Sequence, residues 1–304
     1  MTRPGTPRST RTPGTGPAVV ISASAYQVAW SALRLGPPPV VLHVPPRGFL
    51  AEERAVVVAD AWAELERLGL AARHRLDPVL GDALAVLADP RQAVDARIGT
   101  VDRGEVRALV ATSGEIGVVA VLHDSALRLR YLYDGALGRE AVGLLAEHPA
   151  GPGRPVSAPR AAIDLAARCA GPSPTAFARG LVRQGVGAAD ARGLARMVGG
   201  ARRRGQFGAA VLDRHGRRRR ASRVVAFHDT ADGRYLVEER SAADGRRWAT
   251  VAPTDNACLA RHVQDLLDTT RRLAEGRAVG GTPATLSARV ARGRGTEADR
   301  HPSD

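Results

Sequence analysis

A chain of 304 residues, 44% of them hydrophobic and 4% aromatic, suits one large domain or two small ones whose core is filled by alanine, leucine and valine. The net charge of +13 is carried by arginine alone, with no lysine, which GC-rich codons produce without selection for phosphate binding, so charge is weak ground for a nucleic-acid partner. Two distant cysteines (Cys169 and Cys258) exclude a disulfide framework or a cysteine metal site, and the absence of a signal-peptide run or a span of roughly 20 apolar residues points to a soluble, cytoplasmic protein.

Residues 1–17 are Thr, Pro, Gly and Arg with little to bury, and read as a disordered tail. Val19-Val20-Ile21 is a short apolar run, Ser24 is a plausible cap, and Tyr26, Trp30 and Leu33 then fall on one helical face. Prolines bracket Val40 to Val44 and confine that segment to a sheet edge or a loop. A helix follows, with Ala55, Val58, Trp62, Leu65 and Leu68 on one stripe. Asp77 before Pro78 starts another, through Leu80, Leu84 and Leu87, and Asp89-Pro90 ends it. Three strands are expected over 106–112, 116–123 and 127–133, then a helix capped by Asp134 and carrying Leu137, Ala141 and Leu144.

The Gly- and Pro-rich stretch from Ala150 to Pro155 is the best internal boundary. Helices are expected after Ser157 (Ile163, Leu165), from Ser173-Pro174 (Phe177, Leu181), and around Leu194, Met197 and Val198. Arg202 to Leu267 then reads as an antiparallel meander with turns at Asp232-Gly233 and Asp244-Gly245, closed by a helix capped by Thr254 or Asp255. Past about Arg271 the apolar period fades. The order of elements occurs twice, and Val118-Val119-Ala120…His123-Asp124 echoes Val224-Val225-Ala226…His228-Asp229. The expected fold is α/β (α+β): two pseudo-symmetric halves, about 18–149 and 156–270, sharing a central sheet and core within one domain of 18–270, with a second tail over 271–304.

No motif for catalysis or a cofactor stands out. His123-Asp124 and His228-Asp229 sit where strand meets turn, and adjacent strand residues point to opposite faces, so neither pair converges on a metal ion. Gly185-Val186-Gly187 lies between helices and lacks the third glycine of a dinucleotide loop, and no serine stands in a nucleophile elbow. The chain is not expected to be an enzyme, nor to hold a metal or cofactor. The arginines of 202–220 allow an alternative reading as a nucleic-acid-binding module, but the region lacks aromatic platforms for bases, and a solvated loop over 214–220 is favoured. The meander is apolar on both faces, with Phe207, Ala209 and Val211 on one face of the first strand and Val225 and Phe227 on one face of the next. Such a sheet must be covered by its own helices or by a partner.

Arg-Gly-Gln-Phe-Gly at 204–208, Asp229-Thr230…Gly233-Arg234-Tyr235 and Trp248…Thr250-Val251-Ala252-Pro253…Asp255 resemble the C-terminal signature of the EspG family. The first half fits by order and by Ala61-Trp62-Ala63-Glu64-Leu65…Gly69-Leu70, so the resemblance covers most of Val19 to Leu267. It implies a cytosolic chaperone for actinobacterial type VII (ESX) secretion substrates that binds the helical tip of a PE–PPE or similar heterodimer, keeps it soluble and passes it on for secretion. It further implies docking on the second-half sheet and neighbouring C-terminal helices, which singles out Gln206, Val225, Phe227, Tyr235, Val237 and Trp248.

Overall fold

The computed structural model describes residues 18–48, 50–100, 104–132 and 135–276. Both expected tails fall outside them, except for 271–276, and so do Tyr133 and Asp134. The first half runs β1 (Val19–Ser22), α1 (Ala23–Ala32), α2 (Ala51–Arg67), β2 (Ala71–Ala72), β3 (Arg75–Leu76), α3 (Pro78–Ala88), β4 (Gln92–Thr100), β5 (Gly104–Ser113), β6 (Ile116–His123), β7 (Ala126–Leu132) and α4 (Leu137–Val142). The second runs β8 (Val156–Pro159), α5 (Arg160–Ala170), α6 (Pro174–Arg183), α7 (Ala188–Val198), β9 (Arg203–Leu212), β10 (Arg218–Arg220), β11 (Val225–Asp229), β12 (Arg234–Ser241), β13 (Arg247–Pro253) and α8 (Asn256–Ala274). Without the small β2–β3 and β10 insertions, each half is a strand, three helices, four strands and a closing helix.

Local chemistry sets most helix starts. Ser22 accepts from the Ala25 amide at 3.0 Å, and Asp77 from Val79 at 2.8 Å ahead of Pro78. Ser173 does the same for Ala176 at 3.2 Å, and Asp255 for Cys258 at 2.7 Å. Each satisfies an amide that the first helical turn leaves without a partner.

The sheet order β1-β7-β6-β5-β4-β9-β11-β12-β13-β8 is a palindrome of the two halves. Its centre is the antiparallel pair β4–β9, in register from Gln92 opposite Val211 to Thr100 opposite Arg203. In each half the first strand turns back to flank the last strand of its own meander, β1 on β7 and β8 on β13. One face of the sheet carries two helical lobes. Helices α1 to α3 pack on Leu109, Val118, Leu127 and Leu129, and α5 to α7 pack on Val156, Tyr235 and Val251. The opposite face is covered where the halves meet by α4 and α8, which bury Val94, Ile98, Phe207, Val225 and Phe227. Strands covered on both sides read as continuous apolar runs, as Val118 to Leu122 does.

Several expectations change. β4 was hidden in sequence because Asp95 and Arg97 interrupt its apolar residues, and β8 because Ser157 resembles a helix cap but pairs with Thr250 in the ladder. Val40 to Leu42 form a 3-10 turn instead of an extended segment. Arg218 to Arg220 are a strand on β9 instead of part of a free loop. Both cysteines lie on helices, Cys169 exposed and Cys258 half-buried. Helix α8 continues to Ala274, past the expected boundary at 270.

Candidate functional site: an uncovered strip of the sheet

The two lobes stand on the outer thirds of their shared face, and β4, β9 and β11 carry a strip between them. Directly opposed residues of antiparallel strands share a face. The register therefore lays one row across the sheet: Arg97 opposite Gln206, Gln206 opposite Ala226, Ala226 opposite Val237, and Val237 opposite Val251. Gln206 is exposed, Arg97, Ala226 and Val237 are half-buried, and Val251 lies beneath the α5–α7 lobe. The row thus passes from a polar, open floor to an apolar step at the foot of the second lobe. Arg97 is 3.7 Å from Glu105, and Arg107 donates to the His43 carbonyl at 2.7 Å, which ties the first lobe's connecting loop to the edge of the strip.

The six residues expected at a partner surface do not form one patch. Gln206 and Val237 lie on the strip, joined through Ala226. Val225 and Phe227 are 0% and 2% exposed and pack beneath α8, with the Phe227 ring stacked 5.8 Å from Phe207. Tyr235 is 1% exposed. Its hydroxyl donates to the Pro152 carbonyl at 3.1 Å, and its ring stacks 5.4 Å from His228, whose Nε2 meets the Met197 carbonyl at 2.7 Å. These three side chains are interior, because α8 covers Val225 and Phe227 on one face and the α5–α7 lobe covers Tyr235 on the other. Trp248 is 37% exposed but belongs to the opposite face, since its register partner is Arg240, one residue out of phase with Val237. Arg97 and Ala226 were missed because β4 was not recognised and because alanine carries no sequence signal. The alternation Val94-Asp95-Ala96-Arg97-Ile98 after Pro90 was the available clue.

Titratable groups around the second meander are held by structural partners. Glu238 is buried, and its hydrogen bond from His262, with Arg240 and Arg223 nearby, holds its carboxyl down at about 2 against the cost of burial. Burial pushes the His228 imidazole below its ordinary value. Asp213 sits at about 2 because the Arg217 amide, the Arg219 guanidinium and the His215 amide all donate to it. Among the described residues no group of three or more His, Cys, Asp or Glu is placed to hold a metal ion.

Arg218 to Arg220, the arginine ribbon along β10, are ion-paired where they lie. Arg220 grips both oxygens of Asp95 at 2.6 and 3.0 Å, Arg219 meets Asp213 at 2.8 Å, and Arg218 reaches Asp89 at 3.4 Å. A phosphate backbone would have to displace those carboxylates. No helix among the described residues is long and apolar enough to cross a membrane.

The fold has solved counterparts. The chain is similar to the Mycobacterium tuberculosis type VII secretion system chaperone EspG5, whose structure was solved in complex with a PE25-PPE41 dimer. The TM-score is 0.66 at 15% identity, over 83% of this chain and 96% of that one, a likeness of fold. No curated protein matches the chain. A family model described as the EspG family matches residues 22–265. That span runs from the end of β1 to the middle of α8 and takes in both halves of the palindromic sheet, so this chain belongs to the EspG family.

Proposed function

We propose that the protein is a cytosolic chaperone that holds a secreted helical heterodimer of the PE–PPE kind on the strip between its two lobes and delivers it for type VII secretion. Binding, not reaction, is its work. The observation that carries this reading is the row Arg97–Gln206–Ala226–Val237, an open floor that ends against the second lobe within a fold of the EspG family. The like-folded EspG5 was solved with a PE25-PPE41 dimer, which supports the choice of client. A strip of mixed polarity beside an apolar step suits a helical tip with one or two apolar anchors in a polar collar. Trp248, on the far face, is assigned no contact with the client. The nucleic-acid reading is set aside because Arg218 to Arg220 are committed to aspartates.

The test is co-expression with a PE–PPE pair, the PE25-PPE41 dimer bound by the like-folded EspG5 being the first to try, followed by affinity capture and size-exclusion chromatography. Gln206→Arg and Val237→Asp are expected to weaken the complex at least about tenfold, with circular dichroism unchanged. Retention of the pair by both variants at wild-type strength would overturn the reading.

A further inference from the structure

A second candidate surface lies in the first lobe. Helix α1 and the first turns of α2 diverge around a groove of about 520 Å³, closed at one end by the Pro-rich loop that carries His43 and Arg47. Three features of it need explanation. The first is the Tyr26 hydroxyl: the side chain is 1% exposed and lines the groove, yet its oxygen is buried with no hydrogen-bond partner among the described residues. Burial pushes its pKa up, so it keeps a proton to donate. A buried hydroxyl left without an acceptor is costly, and native structures seldom tolerate one without cause.

The second is α2 itself. Of its 17 residues only Ala61 and Leu65 are buried, so its first ten residues overhang the groove while Val57, Val58 and Trp62 line it. Leu50, at the start of the helix, is 65% exposed. The third is charge: Arg47 and Arg54 line the groove, and among the described residues no Asp or Glu does.

The geometry points to this groove as a docking site for an acidic amphipathic helix of a partner polypeptide. The groove follows α1 from Ser24 to Ala32, a rise of about 13 Å, which accepts two to three helical turns. Apolar residues on one stripe of the incoming helix cover Trp30, Trp62, Val57 and Val58. Glutamates flanking the stripe meet Arg47 and Arg54. A backbone carbonyl freed at the helix end, or a side-chain oxygen, accepts from Tyr26. The site lies on the helical lobe, off the sheet strip, and does not depend on what the strip holds.

The experiment uses the full chain and two synthetic 18-residue helices with the same leucine stripe, one flanked by glutamates and one by lysines. Trp30 and Trp62 line the groove and Trp248 does not, so tryptophan emission reports occupancy. The glutamate helix is expected to shift the emission to the blue at saturation, and the lysine helix to bind at least about tenfold more weakly. Val58→Asp and Arg54→Glu should each remove most of the affinity for the glutamate helix. Tyr26→Phe separates a binding role from a structural one: it should raise the melting temperature of the free chain while weakening the glutamate helix roughly fivefold. Equal binding of the two helices, no binding of either, or full affinity in Val58→Asp would each overturn the proposal. So would a Tyr26→Phe chain that melts lower and binds as well as the parent.

Discussion

Arg234 holds Asp229 through two hydrogen bonds, Nε to Oδ1 at 2.7 Å and Nη2 to Oδ2 at 3.0 Å, and none of the arginine side chain reaches solvent. The same guanidinium donates to Asn256 at the start of α8 and to the Ala146 carbonyl, and lies 5.1 Å over the Phe227 ring. Its backbone amide donates to Pro149, and Gly151 donates back to its carbonyl. One residue therefore ties the β11–β12 hairpin, the link between the halves and the closing helix. Gly233 is part of that joint: with φ at +144° it approaches Gly151 so closely that an added Cβ would lie 2.4 Å from the Gly151 Cα.

Arg234→Met should accordingly be severe. It leaves Asp229 buried with its main cation gone, which costs about 3–5 kcal/mol in comparable buried pairs. Urea denaturation of the variant should show it. The double variant Arg234→Met, Asp229→Leu should recover part of the loss, because no lone charge stays behind.

The closing helices cross tightly. Gly138 on α4 lies where an added Cβ would come within 2.7 Å of the Ala260 carbonyl oxygen and the Gln264 amide of α8. The Gly138 amide donates to the Gln264 side chain at 3.1 Å. Gly138→Ala is expected to cost about 1–3 kcal/mol by forcing the helices apart, read as a lower melting temperature.

Acid should loosen the second half through Glu238. Its pKa in the fold, about 2, lies below its ordinary 4.5, so its contribution is full above that ordinary value and is lost as pH falls from 4.5 towards 2. Glu238→Gln should remove on the order of 2 kcal/mol near neutral pH, a figure tempered by the exposure of Arg240. The difference between parent and variant should shrink over that acid window in a series of denaturation curves. His228 acts in the same direction at higher pH: its lowered pKa favours the neutral ring in the fold, so stability falls as pH drops below its ordinary 6.5.

The arginine ribbon should behave as a brace. Arg220→Ala strips both hydrogen bonds from Asp95, whose side chain is 16% exposed, at a cost of about 1 kcal/mol given the arginine's own exposure. Replacing Arg218 to Arg220 with glutamine should lower the melting temperature and leave retention on a DNA column at a given salt concentration unchanged.

Much of the fold was legible one residue at a time. Turn glycines, capping Ser and Asp residues and runs such as Val118 to Leu122 announce their elements because local backbone physics fixes them. The repeated order of helices and meander announced two similar halves. The candidate site was harder to see. Phe227, Val225 and Tyr235 look like anchors in a list of apolar residues, but whether an apolar strand residue meets a partner or the chain's own helix depends on what lies over it. That is set by α8, 30 or so residues later in the chain, and by α5 to α7 before it.

By itself the sequence determined most of the helices and the later strands, the twofold repetition and the family signature around Arg234, since each rests on neighbours in the chain. Only the tertiary structure decided that β4 and β9 join the halves, and that Gln206, Ala226 and Val237 make one row while Trp248 faces the other way. The physical reason is register: a shift of one residue across antiparallel strands exchanges the faces, and the chain pattern of a strand apolar on both sides is the same either way.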